Sequence, residues 1–241
     1  MSNKKSTDTT PELFNWFDTP EMKKLAKKQD PYPYDNTKIL INSRILCVGG
    51  TSSGKSQSLL HYLRLSPDTF SKVIVYTKES EDLYDFLKQK LQGGIEVHCG
   101  QTIKIPTLAK LREDYRDNER LLIVFDDHMD NLKNPERFCP NVIDYLTYGR
   151  KQNITLFMLT QDFFTIKKSL RNQMSYILVF KLTQQNDKEA IIRQYDTKDK
   201  ILKDIYEDAT KERLSFLKIN TQVCPINEKF SKGFVDFYEI E

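Results

Sequence analysis

The run Gly49-Gly50-Thr51-Ser52-Ser53-Gly54-Lys55-Ser56 fits the spacing G-x-x-x-x-G-K-[ST], and it lies where such a loop has a mechanism. An apolar segment, Ser43 to Val48, runs into it, and a stretch of helical period, Gly54 to Leu65, runs out of it. A strand that ends in a glycine-rich turn and opens a helix brings backbone N–H groups and the positive end of the helix to one point. The glycines permit the tight turn, Lys55 reaches β- and γ-phosphates, and the Ser56 hydroxyl can ligate Mg2+. Gly49 through Ser56, with Gln57 beside them, are the expected nucleotide contacts. The bland alternative is a glycine-rich turn that carries a surface lysine.

The rest of the chain supplies the sheet such a loop needs. Short apolar runs recur at Lys72–Tyr76, Ile95–His98, Leu121–Phe125, Ile154–Leu159 and Tyr176–Phe180. Between them lie helical patterns over 81–91, 107–118 and 138–149, with Thr107 as an N-cap. Continuous apolar strands mark burial on both faces. Strands alternating with helices predict an α/β fold, a mostly parallel sheet with helices on both faces. Residues 1–37 read as an arm with a short helix from Pro20 to Lys28 and an extended run, Asp30 to Tyr34. Residues 38–185 read as the core. Residues 186–241 read as a helical and edge-strand extension of the same domain, helical over 187–213, with closing strands at Leu214–Ile219 and Gly233–Tyr238.

Composition narrows the classes. With 241 residues the chain can bury a core without staples. Its net charge of +3, from 37 basic and 34 acidic residues, argues against binding nucleic acid by bulk charge and leaves a local patch open. Cys47, Cys99, Cys139 and Cys224 are scattered, as are His61, His98 and His128, so neither a disulfide framework nor a zinc site is expected. Apolar runs reach about five residues, against about 20 for a membrane helix. No secretory h-region is visible, which points to an intracellular protein.

Three further features carry chemistry. Leu121–Phe125 delivers Asp126-Asp127 to a strand end: Asp126 suits the Mg2+ shell, and Asp127 can orient the attacking water or act as general base. The pair could also be a helix cap. Ile154–Leu159 delivers Thr160-Gln161, and a glutamine there can bond the γ-phosphate or the lytic water; the alternative is a polar loop residue. Arg150 and Arg171 bracket that strand, and each is a candidate for the guanidinium that stabilises transition-state charge from a neighbouring subunit. Phe163 to Gln185 holds Lys167, Lys168, Arg171 and Lys181 and no acid, a stretch that suits either a phosphate polymer or a solvated face. Asp130 reads as a solvated loop acid.

In order, Gly49–Ser56, the strand ending Asp126-Asp127, Gly149-Arg150-Lys151-Gln-Asn-Ile154, and Leu159-Thr160-Gln161 followed by Ile166–Asn172 resemble the genome-packaging ATPases of double-jelly-roll DNA viruses. These are the poxvirus- and virophage-type branch of the FtsK–HerA superfamily, and the likeness covers about residues 40–182. The resemblance implies a RecA-like core that hydrolyses ATP with Mg2+. It implies a homo-oligomeric ring, pentamer or hexamer, that drives double-stranded DNA into a preformed capsid and docks on a capsid vertex or portal-like protein. It places the chain at a viral assembly site or in the virion. By position, Lys55 and Ser56 hold phosphate and Mg2+, Asp126 the Mg2+ shell, Asp127 the water, and Gln161 the sensor. Where the family has a Gly-Arg-His-like step, this chain has Gly149-Arg150-Lys151. A P-loop small-molecule kinase and a non-hydrolysing, nucleotide-gated assembly protein are the competing readings; the arginine-rich lid that the first would need is not evident in the sequence.

Overall fold

The computed structural model describes residues 19–20, 36–100, 103–127, 140–164, 166–197 and 200–240. The chain forms two compact units, residues 1–31 and 32–241. Beyond Thr19 and Pro20, the expected arm helix lies outside the described residues, as do the run Asp30–Tyr34, His128, Asp130 and Cys139. The sheet and its helices lie in the second unit.

Among the described residues, nine strands make one sheet: β1 (Arg44–Val48), β2 (Lys72–Thr77), β3 (Ile95–Cys99), β4 (Leu121–Asp126), β5 (Ile154–Thr160), β6 (Tyr176–Val179), β7 (Leu217–Asn220), β8 (Phe230–Lys232) and β9 (Asp236–Phe237). Their order is β3-β2-β4-β5-β1-β6-β7-β8-β9. The strands from β3 to β6 run parallel, and β7, β8 and β9 continue antiparallel. The helices among the described residues are α1 (Lys55–Leu65), α2 (Asp82–Leu91), α3 (Leu108–Asp114), α4 (Pro140–Tyr148), α5 (Lys168–Arg171), α6 (Gln185–Tyr195) and α7 (Leu202–Ala209).

Two cores flank the sheet because strand side chains alternate faces. Leu122 and Val124 of β4 join α1 and α2 through Leu59, Tyr62, Tyr84 and Leu87. Leu121, Ile123 and Phe125 join α3, α4, α5, α6 and α7 on the other face. Each central strand is therefore buried on both sides, which is why its sequence reads as an unbroken apolar run.

The strand order positions the site. β5 lies between β4 and β1, with Asp126 opposite Leu159 and Thr160 opposite Val48. The turns leaving β1, β4 and β5 thus open side by side at one sheet edge, where open parallel sheets bind ligands.

Several expected elements have different bounds. The helix expected over 107–118 ends at Asp114; Tyr115 turns extended and donates its hydroxyl to Glu96 at 2.8 Å. The Arg112 guanidinium then gathers the Arg116 and Glu119 carbonyls into a turn. The helical period over 187–213 splits in two because the Asp196 carboxylate accepts the Leu202 N–H at 3.0 Å and starts a new helix. The first closing strand begins at Leu217, since Leu214 takes a left-handed backbone with φ 66°. β8, absent from the sequence reading, is a three-residue strand.

Candidate active site

The loop after β1 is fixed at both ends. The Gly49 N–H donates to Thr160 O at 3.1 Å, and the Ser58 N–H donates to Gly54 O at 2.9 Å in the first turn of α1. Gly54 has φ 112°, and a Cβ there would lie 2.9 Å from Leu214 Cδ2 and 3.1 Å from the Phe180 ring. A Cβ on Gly49 would lie 2.7 Å from Phe180 Cβ. These two glycines are thus required by backbone geometry and by close approach. Phe180 and Leu214 form the wall behind the loop.

Lys55 is buried, and its ammonium donates to Gly49 O at 2.9 Å and Gly50 O at 3.0 Å. The lysine therefore sits in the concavity of its own loop. Thr51, Ser52 and Gln57 are exposed, while Gly50, Ser53 and Ser56 are half-buried. Ser53 Oγ is buried and has no hydrogen-bond partner, one polar atom left free in the cradle.

Asp126 ends β4 on the same face as Leu122 and Val124 and is 4 % exposed. Burial pushes its carboxyl up to about 6; the Tyr84 hydrogen bond pulls it down, Asp127 and Glu81 push it up, and Lys55 pulls it down. Tyr84 lies in the first turn of α2, is fully buried, and donates its hydroxyl to Asp126 Oδ2. Burial and the neighbouring Asp126 hold that phenol far above its ordinary range, so it is a neutral donor throughout the working pH range.

Asp127, one residue on, takes φ 50° and leaves the strand direction. Its Oδ2 accepts from Gln161 Nε2 at 3.1 Å, and Gln161 Oε1 accepts from Thr51 Oγ1 at 3.1 Å. The loops after β1, β4 and β5 are joined through this one glutamine. The site therefore brings Thr51, Lys55, Asp126, Asp127 and Gln161 together.

The two arginines part company. Arg150 is exposed on a 3-10 turn, Gly149–Gln152, which leads into the first residue of β5 and so lies at the sheet edge opposite its own loop. That turn is braced by Arg112, which donates to Gln152 O, while Arg44 donates to Leu146 O at 2.7 Å in the helix that precedes it. Arg171 faces inward in this chain. It is 8 % exposed, donates to Phe163 O at 3.2 Å and Ile166 O at 2.8 Å, and stacks 4.5 Å from the Phe163 ring centroid. It braces the chain after β5, with its Nη1 turned onto these two carbonyls. The 163–185 stretch likewise forms no single basic face: Lys167, Lys168 and Lys181 are exposed, whereas Arg171 is buried.

Two residues near the site carried no sequence signal. Tyr84 lies 42 residues before its partner Asp126, and an isolated tyrosine on an amphipathic helix reads as core. Asp187, in α6, is buried and accepts the Phe163 N–H at 3.1 Å, which anchors the segment after Gln161 from the other side.

A magnesium ion fits the donors present. Asp126 and Ser56 offer hard oxygen ligands, and Mg2+ takes one or two protein oxygens together with substrate phosphates. Among the described residues no group of three or more His, Cys, Asp or Glu side chains forms a metal-binding cluster.

Comparison with known proteins points one way. The family model described as the poxvirus A32 protein matches residues 34–230. The fold is similar to that of B204, the DNA-packaging ATPase from Sulfolobus turreted icosahedral virus, with a TM-score of 0.56 and 16 % identity over 80 % of this chain and 97 % of that one. It is similar to B204 from Sulfolobus turreted icosahedral virus 2 in complex with sulfate, with a TM-score of 0.54 and 18 % identity over 79 % and 95 %. EssC (ATPases 2 and 3) from Geobacillus thermodenitrificans matches with a TM-score of 0.54 and 13 % identity, over 82 % of this chain and 39 % of that one. No curated protein sequence matches the chain.

Proposed function

The chain belongs to the poxvirus A32 protein family, and from that membership we propose that it is an ATP-hydrolysing motor that drives double-stranded DNA into a preformed viral capsid as a homo-oligomeric ring. One observation carries the hydrolytic part: Gln161 spans from Thr51 on the phosphate loop to Asp127 beside the metal acid. A binding module needs the loop alone; a carboxylate held beside it suits the activation of a water.

B204 from Sulfolobus turreted icosahedral virus 2 has been solved in complex with ATP-gammaS and with AMPPCP, and this chain shares that fold. The N–H groups of Gly50 to Lys55 and the start of α1 bind the phosphates of ATP. Lys55 exchanges the Gly49 and Gly50 carbonyls for β- and γ-phosphate oxygens. Ser56 and Asp126 would hold Mg2+, which would supply positive charge against the phosphate oxygens. Asp127 orients the water in line with the γ-phosphate and takes its proton. Gln161 keeps one Nε2–H on Asp127 and turns the other toward the γ-phosphate, so its amide reports nucleotide state.

Arg150 is the trans-acting guanidinium. It is exposed, presented on a braced turn, and remote from its own loop, so it serves only a neighbour's site. Lys167 and Lys168, exposed on the segment after Gln161, face the DNA backbone, and a capsid vertex or portal-like protein receives the ring. The direct test is single-turnover ATP hydrolysis. Lys55→Ala is expected to abolish it, and Asp127→Asn to bind ATP without cleaving it. Full hydrolysis by Lys55→Ala would overturn the loop assignment.

A further inference from the structure

We propose that Tyr84 is a positioning residue for the magnesium site: its hydroxyl fixes the rotation of the Asp126 carboxylate so that the second oxygen is aimed at the metal. This rests on the reading of Asp126 as a ligand of the Mg2+ shell.

Three elements, β4, α2 and β2, converge on this contact. A carboxylate on a strand end is free to rotate about its last torsion, which is broad and roughly two-fold. Tyr84 removes that freedom by binding Oδ2, and it leaves Oδ1 as the available oxygen. The phenol is itself immobile, since its ring is fully buried in the core that contains Leu87, Leu122 and Val124. Its backbone is tied as well: the Tyr84 N–H donates to Glu81 O at 2.9 Å as α2 begins. The helix hangs from β2, whose last residue, Thr77, lies directly opposite Asp126 in the parallel ladder. Tyrosine suits this position for a chemical reason. A buried carboxylate needs a donor, whereas a second cation there would compete with the metal, and a neutral phenol supplies the one without the other. Lys55, a cation whose charge acts on Asp126, is held by the loop carbonyls.

The test separates metal binding from phosphate binding. The affinity of fluorescent mant-ADP is measured with Mg2+ and with EDTA, for wild type and Tyr84→Phe. The EDTA affinity is expected to stay the same in both proteins. The gain conferred by Mg2+ is expected to shrink by about 10–100-fold in the variant, the usual cost of losing a partner that orients a metal ligand. An equal Mg2+ gain in a folded Tyr84→Phe protein overturns the role of Tyr84. No Mg2+ gain in the wild type overturns the assignment of Asp126 and this role with it, whereas loss confined to the variant supports both. If the variant does not fold, 3-fluorotyrosine placed at position 84 of the full chain decides: its 19F resonance should move when Mg2+ is added to the mant-ADP-loaded protein, and a fixed resonance overturns the proposal.

Discussion

Gln161 Nε2 donates to Asp127 Oδ2 at 3.1 Å. The same side chain accepts from Thr51 on the phosphate loop, so a single amide ties Asp127 to that loop. Gln161→Ala should lower the single-turnover rate by roughly 10²-fold, as loss of a preorganised donor does elsewhere. Nucleotide affinity in equilibrium binding should change little, because the loop itself is untouched. A large loss of affinity with an unchanged rate would remove Gln161 from the chemistry.

Arg150 and Arg171 should behave differently when mutant and wild-type subunits are mixed. Arg150→Ala subunits should poison a ring beyond their share, because each removes the guanidinium from a neighbour's site. A loss of hydrolysis strictly proportional to the mutant fraction would count against a trans role.

Arg171→Ala should instead cost stability. It deletes donors to two buried carbonyls and a stacked ring, worth about 2–3 kcal/mol together. At about 2–4 °C per kcal/mol for a domain of this size, calorimetry should find a melting temperature lower by about 4–12 °C. An unchanged melting temperature would show that the brace seen around Phe163 and Ile166 is dispensable.

Lys218 provides a pH test away from the site. It is 1 % exposed on β7, donates to Thr37 O at 3.1 Å and to Phe234 O, and has its amine lowered to about 7 by burial and by Lys38. Its ordinary value is 10.5. Between these two values the unfolded chain binds the proton and the folded chain does not, so this group adds stability as pH rises from about 7 to about 10.5. Denaturant titrations should show wild type gaining on Lys218→Met across that window and running parallel to it below pH 6. Parallel curves throughout would mean that the amine keeps its ordinary affinity for the proton.

The sheet and the phosphate loop were legible because their signals are local. Val48 running into Gly49 and Gly54 preceding Lys55 need only neighbours in sequence, and two-sided burial made β4 and β5 read as unbroken apolar runs. Tyr84 was not legible. Its role comes from β2 pairing with β4, a contact that no spacing announces, and its helix pattern is that of any core tyrosine. The inward setting of Arg171 was not legible either: a lone arginine reads alike whether it faces solvent or carbonyls of its own chain. β8 escaped because three residues hold too little alternation to show a period.

The claim that a DNA motor is built on this site is tested most directly by ATP hydrolysis measured with and without double-stranded DNA, on protein whose mass in solution is determined in the same buffer. An oligomer whose hydrolysis rises when DNA is added is the expected result. A monomer, or an oligomer whose rate is indifferent to DNA, would contradict the claim.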